Sequence, residues 1–201
     1  MHRYFIINKP RNMVSQFVSS HEVGLLGQLD MDFPEGTHAV GRLDKDSEGL
    51  LILTSNKSIT RKLFLARPAH LRTYLVMVQN EMSNPTLETL RSGISIKIKS
   101  GELYNAKPVS IERVTNPIEL YPYAGDPRMA YPHTWLRITL AEGKYRQVRK
   151  MVLAARHRCL RLVRLSISHL ELGMLAPGQV LEMEETEFLQ KLFPLAMHQS
   201  L

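Results

Sequence analysis

Apolar positions along the chain fall into short runs with two periods, one of two residues and one of three to four. Arg3 to Asn8 is rich in strand formers and stops at Lys9-Pro10, because proline supplies no donor and pushes its predecessor toward extended geometry. Leu50-Leu51-Ile52-Leu53 is wholly apolar and closed by Thr54, Ser55 and Asn56, the pattern of a core strand. Arg72 to Val78 predicts a further strand, and Ile94, Ile96 and Ile98 alternate with polar residues as a half-buried one does. Strands are also expected near Val109–Val114, at Thr134–Leu140, around Leu160–Ile167 and at Val180–Met183.

Helical spacing is clearest from Gln147 to Ala155, where Val148, Met151, Val152 and Ala155 form one apolar stripe and Arg146, Arg149 and Lys150 lie away from it. Asn56-Lys57-Ser58 opens a helix running to Leu65, and Asn84-Pro85 opens a short one over Thr86–Arg91 that Gly93 ends. A short helix is expected around Leu25–Leu29. Pro117 to Pro132 holds four prolines with Tyr121, Tyr123 and Tyr131, and is expected to be an irregular surface insertion rather than a base-stacking platform. Many short strands with few helices predict an α+β chain, with residues 1–190 as a single bilobal catalytic domain and 191–201 as a C-terminal tail.

With 201 residues, 44% hydrophobic and 22% charged, the chain has ordinary globular usage. No apolar stretch approaches the length of a membrane span and the opening lacks a secretory pattern, so a cytoplasmic protein is expected. Cys159 stands alone, which excludes an internal disulfide and a cysteine zinc site and fits a reducing compartment, as a small buried residue. The net charge of +7 favours an anionic partner. From Glu142 to Arg164 there are eight cations (Lys144, Arg146, Arg149, Lys150, Arg156, Arg158, Arg161, Arg164) against one acid. Glu182, Glu184, Glu185 and Glu187 make the opposite cluster, read as a solvated face or chain end.

The densest chemistry is Gly41-Arg42-Leu43-Asp44, followed by Lys45-Asp46-Ser47-Glu48-Gly49 and the apolar strand. It sets a carboxylate and a guanidinium two residues apart on a loop beside buried structure. This stretch resembles the catalytic motif of RNA pseudouridine synthases. Three more blocks match that family in order: Asn8-Lys9-Pro10, Arg72-Thr73-Tyr74-Leu75-Val76, and Glu142 to Met151. Leu160 to Leu165 and Leu175-Ala176-Pro177-Gly178 extend the likeness, so it covers about residues 3 to 183. Within the family the chain is most similar to the ribosomal small-subunit synthase A group and its large-subunit synthase E branch.

The resemblance implies a mixed, mostly antiparallel sheet in two lobes with a central RNA-binding cleft and flanking helices. It implies isomerisation of uridine to pseudouridine in ribosomal RNA, large-subunit RNA foremost, and a monomer is the default expectation. Asp44 is then the catalytic aspartate, Tyr74 packs on the target base, and Arg149 pairs with the aspartate and favours its ionised form. Arg42 fills the stack that the extruded base vacates, since a guanidinium both pairs phosphate and stacks. Lys9, Lys144, Arg146, Lys150, Arg156 and Arg158 complete the RNA-binding set, contributing affinity and position more than sequence information. No metal or other cofactor is expected. The bland alternatives are a turn-capping Asp44, an Arg42 paired with a neighbouring acid, and a Tyr74 that is ordinary strand core.

Two departures from the family pattern stand out. Arg11-Asn12 replaces a common glycine after Pro10, and Thr54-Ser55-Asn56-Lys57 replaces an Asn-Asp-Gly-like turn. The catalytic strand starts at residue 3, so RNA recognition is expected from the catalytic domain without an S4 module. Two rival function classes are a catalytically silent RNA-binding or ribosome-assembly protein on the same fold, and a glycosidase pairing Asp44 with Asp46 or Glu48.

Overall fold

The computed structural model describes residues 1–65, 69–125 and 131–194. Residues 126–130 of the proline-rich stretch, and 195–201 of the expected tail, lie outside the described residues. The fold is α+β and divides into two compact units, one formed by Met1–His70 with Arg164–Leu201 and the other by Leu71–Val163.

The first unit begins with β1 (Tyr4–Lys9), β2 (His38–Val40), β3 (Glu48–Thr54) and α1 (Ser58–Leu65). β1 runs antiparallel to β3, Tyr4 opposite Thr54 and Lys9 opposite Gly49, and β2 also pairs with β3. Both β1 and β3 are buried along their whole length, the apolar runs Tyr4–Ile7 and Leu50–Leu53 together with the polar residues Asn8, Lys9, Glu48 and Thr54. Phe5 and Ile7 on one face of β1 join Met13, Leu26, Leu29, Leu43, Leu51 and Leu53 in a core cluster. The expected Leu25–Leu29 helix is a single 3-10 turn, Leu26–Gln28.

The second unit runs through β4 (Arg72–Gln79), α2 (Asn84–Ser92), β5 (Ile94–Lys97), β6 (Leu103–Ala106), β7 (Ser110–Val114), β8 (His133–Leu140) and α3 (Gln147–Ala154). β8 lies antiparallel between β4 and β7, and β5 and β6 form a separate hairpin. The α3 stripe of Val148, Met151 and Val152 packs with Val76, Val78, Leu136 and Ile138, and Ala155 and Cys159 lie half-buried against that cluster. Each fully buried Leu, Ile or Val of this kind contributes roughly 1.5–3 kcal/mol. The expected surface insertion after Pro117 is in part core, since Tyr121 and Ala124 are buried.

β9 (Cys159–Ile167) carries the chain back into the first unit, where β10 (Leu170–Glu171), β11 (Val180–Met183) and α4 (Glu185–Leu192) follow. β11 pairs antiparallel with β1. Glu182, Glu184, Glu185 and Glu187 are exposed, the solvated face expected of them, on elements whose opposite side is core. Phe188 of α4 is buried and stacks on Tyr4 at 4.7 Å, Glu185 accepts a bond from the Tyr4 hydroxyl at 2.7 Å, and Glu182 pairs with Arg3. Among the described residues no helix is long and apolar enough to cross a membrane.

Candidate active site

In the first unit the Gly41–Asp44 segment is fastened at its leucine. Leu43 is buried in the core cluster, its N–H donates to Ser15 Oγ at 2.9 Å, and Ser15 Oγ donates back to the Leu43 carbonyl at 3.0 Å. Its neighbours differ from it in exposure: Arg42 is exposed and Asp44 half-buried. A turn follows, closed by the Ser47 N–H on the Asp44 carbonyl at 3.0 Å, while the Asn12 N–H donates to the Lys45 carbonyl at 2.8 Å. Gly41 holds a φ of +76°, in the left-handed region, with Phe64 3.3 Å from where a Cβ would sit. Glycine is favoured there by its conformation, since the exposed Phe64 ring could yield the few tenths of an ångström a methyl would need. Asp44 is thus carried on a loop whose backbone is tied on both sides, the kind of support a reacting carboxylate needs.

Lys9 departs from its expected place among the RNA-binding residues. It is fully buried, and its ammonium donates to the carbonyls of Pro10 at 2.9 Å and Met13 at 2.7 Å. A group so placed cannot meet a phosphate. Burial lowers its pKa to about 8, against the opposing pull of the negative charges on Glu48, Asp46 and Asp44, while Arg164 lowers it further. Lys9 is a structural cation beneath the acidic side of the loop. Arg164, also buried, donates from Nε to the Leu50 carbonyl at 2.8 Å.

The remaining site residues belong to the second unit. Tyr74 is buried in β4 opposite Ile138, inside that unit's apolar cluster. Arg149 and Lys150 are half-buried on α3. Arg146 precedes α3 with a left-handed φ of +52°, and Lys144, Arg156 and Arg158 are exposed. Lys150 is partly engaged, since its ammonium donates to the Lys97 carbonyl at 2.7 Å.

A polar network escaped the sequence reading. The Tyr104 hydroxyl on β6 donates to one oxygen of Glu142, and Gln147 Nε2 donates to the other at 2.6 Å. Gln147, buried at the start of α3, accepts the Lys144 N–H on its side-chain oxygen at 2.9 Å. Binding to Glu142, aided by burial, raises the Tyr104 pKa. The signal available in sequence was Gln147 itself, a polar residue beside the apolar stripe at the start of the predicted helix.

Comparison with known proteins decides the class of chemistry. A family model described as RNA pseudouridylate synthase matches residues 3–154, which takes in the Asp44 loop, Tyr74 and the basic turn before α3. The chain belongs to the RNA pseudouridylate synthase family. This synthase is 36% identical over 186 residues to ribosomal large subunit pseudouridine synthase E of Vibrio parahaemolyticus, covering 90% of this chain and 74% of that one. It is 34% identical to the enzyme of the same description from Xanthomonas axonopodis pv. citri, covering 86% and 89%. A crystal structure of a pseudouridylate synthase superposes on the synthase with a TM-score of 0.75 at 25% identity, covering 96% of this chain and 74% of that one.

Proposed function

We propose that this synthase converts uridine to pseudouridine at a defined position in ribosomal RNA, large-subunit RNA foremost, with Asp44 as the catalytic carboxylate. The observation that carries this reading is the fastened loop: Leu43 locked by Ser15 between an exposed Arg42 and a half-buried Asp44. The names of the Vibrio and Xanthomonas relatives support the choice of RNA.

The reaction breaks the bond between uracil N1 and ribose C1′, turns the base, and joins C5 to C1′, with the C5 hydrogen leaving as a proton. A paired uridine must first leave its stack, at a cost of a few kcal/mol. Arg42, next to the fastened leucine, fills the vacated space. Asp44 acts on the sugar, as nucleophile at C1′ or as base, and its loop gives it a fixed position. Tyr74 packs on the target base and Arg149 favours the ionised carboxylate, the roles their matching positions imply. Lys144, Arg146, Lys150, Arg156 and Arg158 bind phosphates. The synthase needs no cofactor, and residues 1–190 act as one catalytic domain of a cytoplasmic monomer.

The test is release of tritium from large-subunit RNA labelled at uridine C5. Wild-type protein releases it, while Asp44→Asn binds the RNA equally well and releases none. If wild type binds RNA without release, the fold serves binding alone or a different RNA. If Asp44→Asn turns over normally, Asp44 is not the catalyst.

A further inference from the structure

We propose that Tyr145 is a base-stacking residue of the RNA interface, its ring receiving an unpaired nucleobase between the flanking cations Lys144 and Arg146. The proposal deepens the RNA-directed reading above and rests on it.

Tyr145 stands at the tip of a turn whose ends are tied twice. The Gln147 N–H donates to the Lys144 carbonyl at 3.1 Å, and the Gln147 side chain accepts the Lys144 N–H at 2.9 Å. Gln147 is held in turn by Glu142, and Glu142 by Tyr104 of the β5–β6 hairpin. The Lys144 ammonium lies over the Tyr104 ring at 5.1 Å, which adds a further tie between turn and hairpin. Arg146, at the other side of the tip, accepts the cost of a left-handed φ. The backbone under Tyr145 is therefore set before any ligand arrives.

On this base Tyr145 is 60% exposed and belongs to neither apolar cluster. Among the described residues nothing forms a hydrogen bond with its hydroxyl. A lone exposed tyrosine is common on protein surfaces. This one is distinguished by its orientation. The Lys150 ammonium, itself fixed to the Lys97 carbonyl, sits 5.3 Å from the ring centroid. It steadies the ring and leaves much of its surface to solvent. Tyr123, another exposed tyrosine, instead turns its ring against buried Tyr121 at 5.6 Å. A steadied aromatic with cations on either side is the combination that single-stranded RNA sites use, stacking for the base and charge for the phosphates.

The experiment compares binding of two probes by fluorescence anisotropy at low salt, a short uridine oligomer and an oligomer of equal length with abasic sugars. Tyr145→Ala is expected to weaken the base-bearing oligomer about fivefold or more, the range of stacking on one base. It leaves the abasic oligomer unchanged, and Tyr145→Phe matches wild type on both. Equal weakening on the two probes, or none on either, overturns the proposal. Tritium release from the same wild-type preparation separates the two readings. Its absence would sink the proposed reaction while the affinity comparison still decides Tyr145. Normal release with equal affinities would sink the Tyr145 inference alone.

Discussion

Lys9 gives up its water to tie down the turn that Pro10 begins, and a measurable pH effect follows. Its pKa of about 8 in the folded chain lies below the ordinary lysine value of 10.5. Below pH 8 both folded and unfolded chains hold the proton, and the penalty for burying the charge is present in full. Between about 8 and 10.5 the unfolded chain keeps the proton that the folded one releases, so Lys9 adds stability as pH rises. Urea midpoints of wild type should climb relative to Lys9→Met across that window, and parallel curves would refute the assignment. Above that window, where the amine is neutral in both states, Lys9→Met should be less stable by about 2 kcal/mol, because the Pro10 and Met13 carbonyls lose their donor. Its role was hidden in the sequence. Lys9 sat in a matched block and carried a positive charge, whereas the acids acting on it are about 35 to 39 residues away and Arg164 still further. Asp44 was conspicuous because its motif, Gly41 to Gly49, is contiguous, although the Ser15 and Asn12 bonds that fasten the loop come from 28 and 33 residues away (45 minus 12).

Elements were legible where one face is apolar and the period unbroken. α3 shows this, burying Val148, Met151 and Val152 of the selected stripe while Ala155 lies half-buried just past its end, and the wholly apolar run of β3 is buried on both faces. α4 was missed because its clustered glutamates suggested solvent and drew attention from Phe188 and Leu192, one helical turn apart and both buried. β6 has only Ala106 buried, leaving no alternation to find, and three-residue β2 is too short for one. Helix ends were nearly right. α2 starts one residue after Ser83, whose Oγ accepts the Thr86 N–H at 3.3 Å, and ends at Gly93. Ser83→Ala should cost about 1 kcal/mol in urea unfolding. Gly93→Ala should cost more, about 2 kcal/mol, because φ is +110° and the added Cβ would lie 3.0 Å from Asn105 Oδ1. The reverse ranking would mean that the hairpin shifts to accommodate the methyl.

At the scale of the molecule, the family was legible from four ordered blocks, while the points at which the chain passes from one unit to the other were not. Neither boundary has the glycine- or proline-rich composition of a linker, and Val163-Arg164 lies inside β9. The exposed cations Arg156 and Arg158 belong to the second unit, where salt dependence can assess them. Arg156→Ala should weaken binding of a uridine oligomer and lower the slope of log affinity against log salt by about 0.7, the value for one phosphate on a single strand. An unchanged slope would remove Arg156 from the interface.

The first unit is also interrupted in sequence, and its assembly on the ribosome must wait accordingly. β1 ends at Lys9 and its partner β11 starts at Val180, 171 residues later (180 minus 9). At about 5 to 20 residues per second, translation leaves one edge of this apolar strand open for roughly 10 to 30 s. The second unit, contiguous from 71 to 163, has its whole sequence out sooner. A nascent chain of this enzyme therefore exposes a sticky strand edge until residues 180–183 emerge, which makes residues 4–9 the place where a holding chaperone would be needed most.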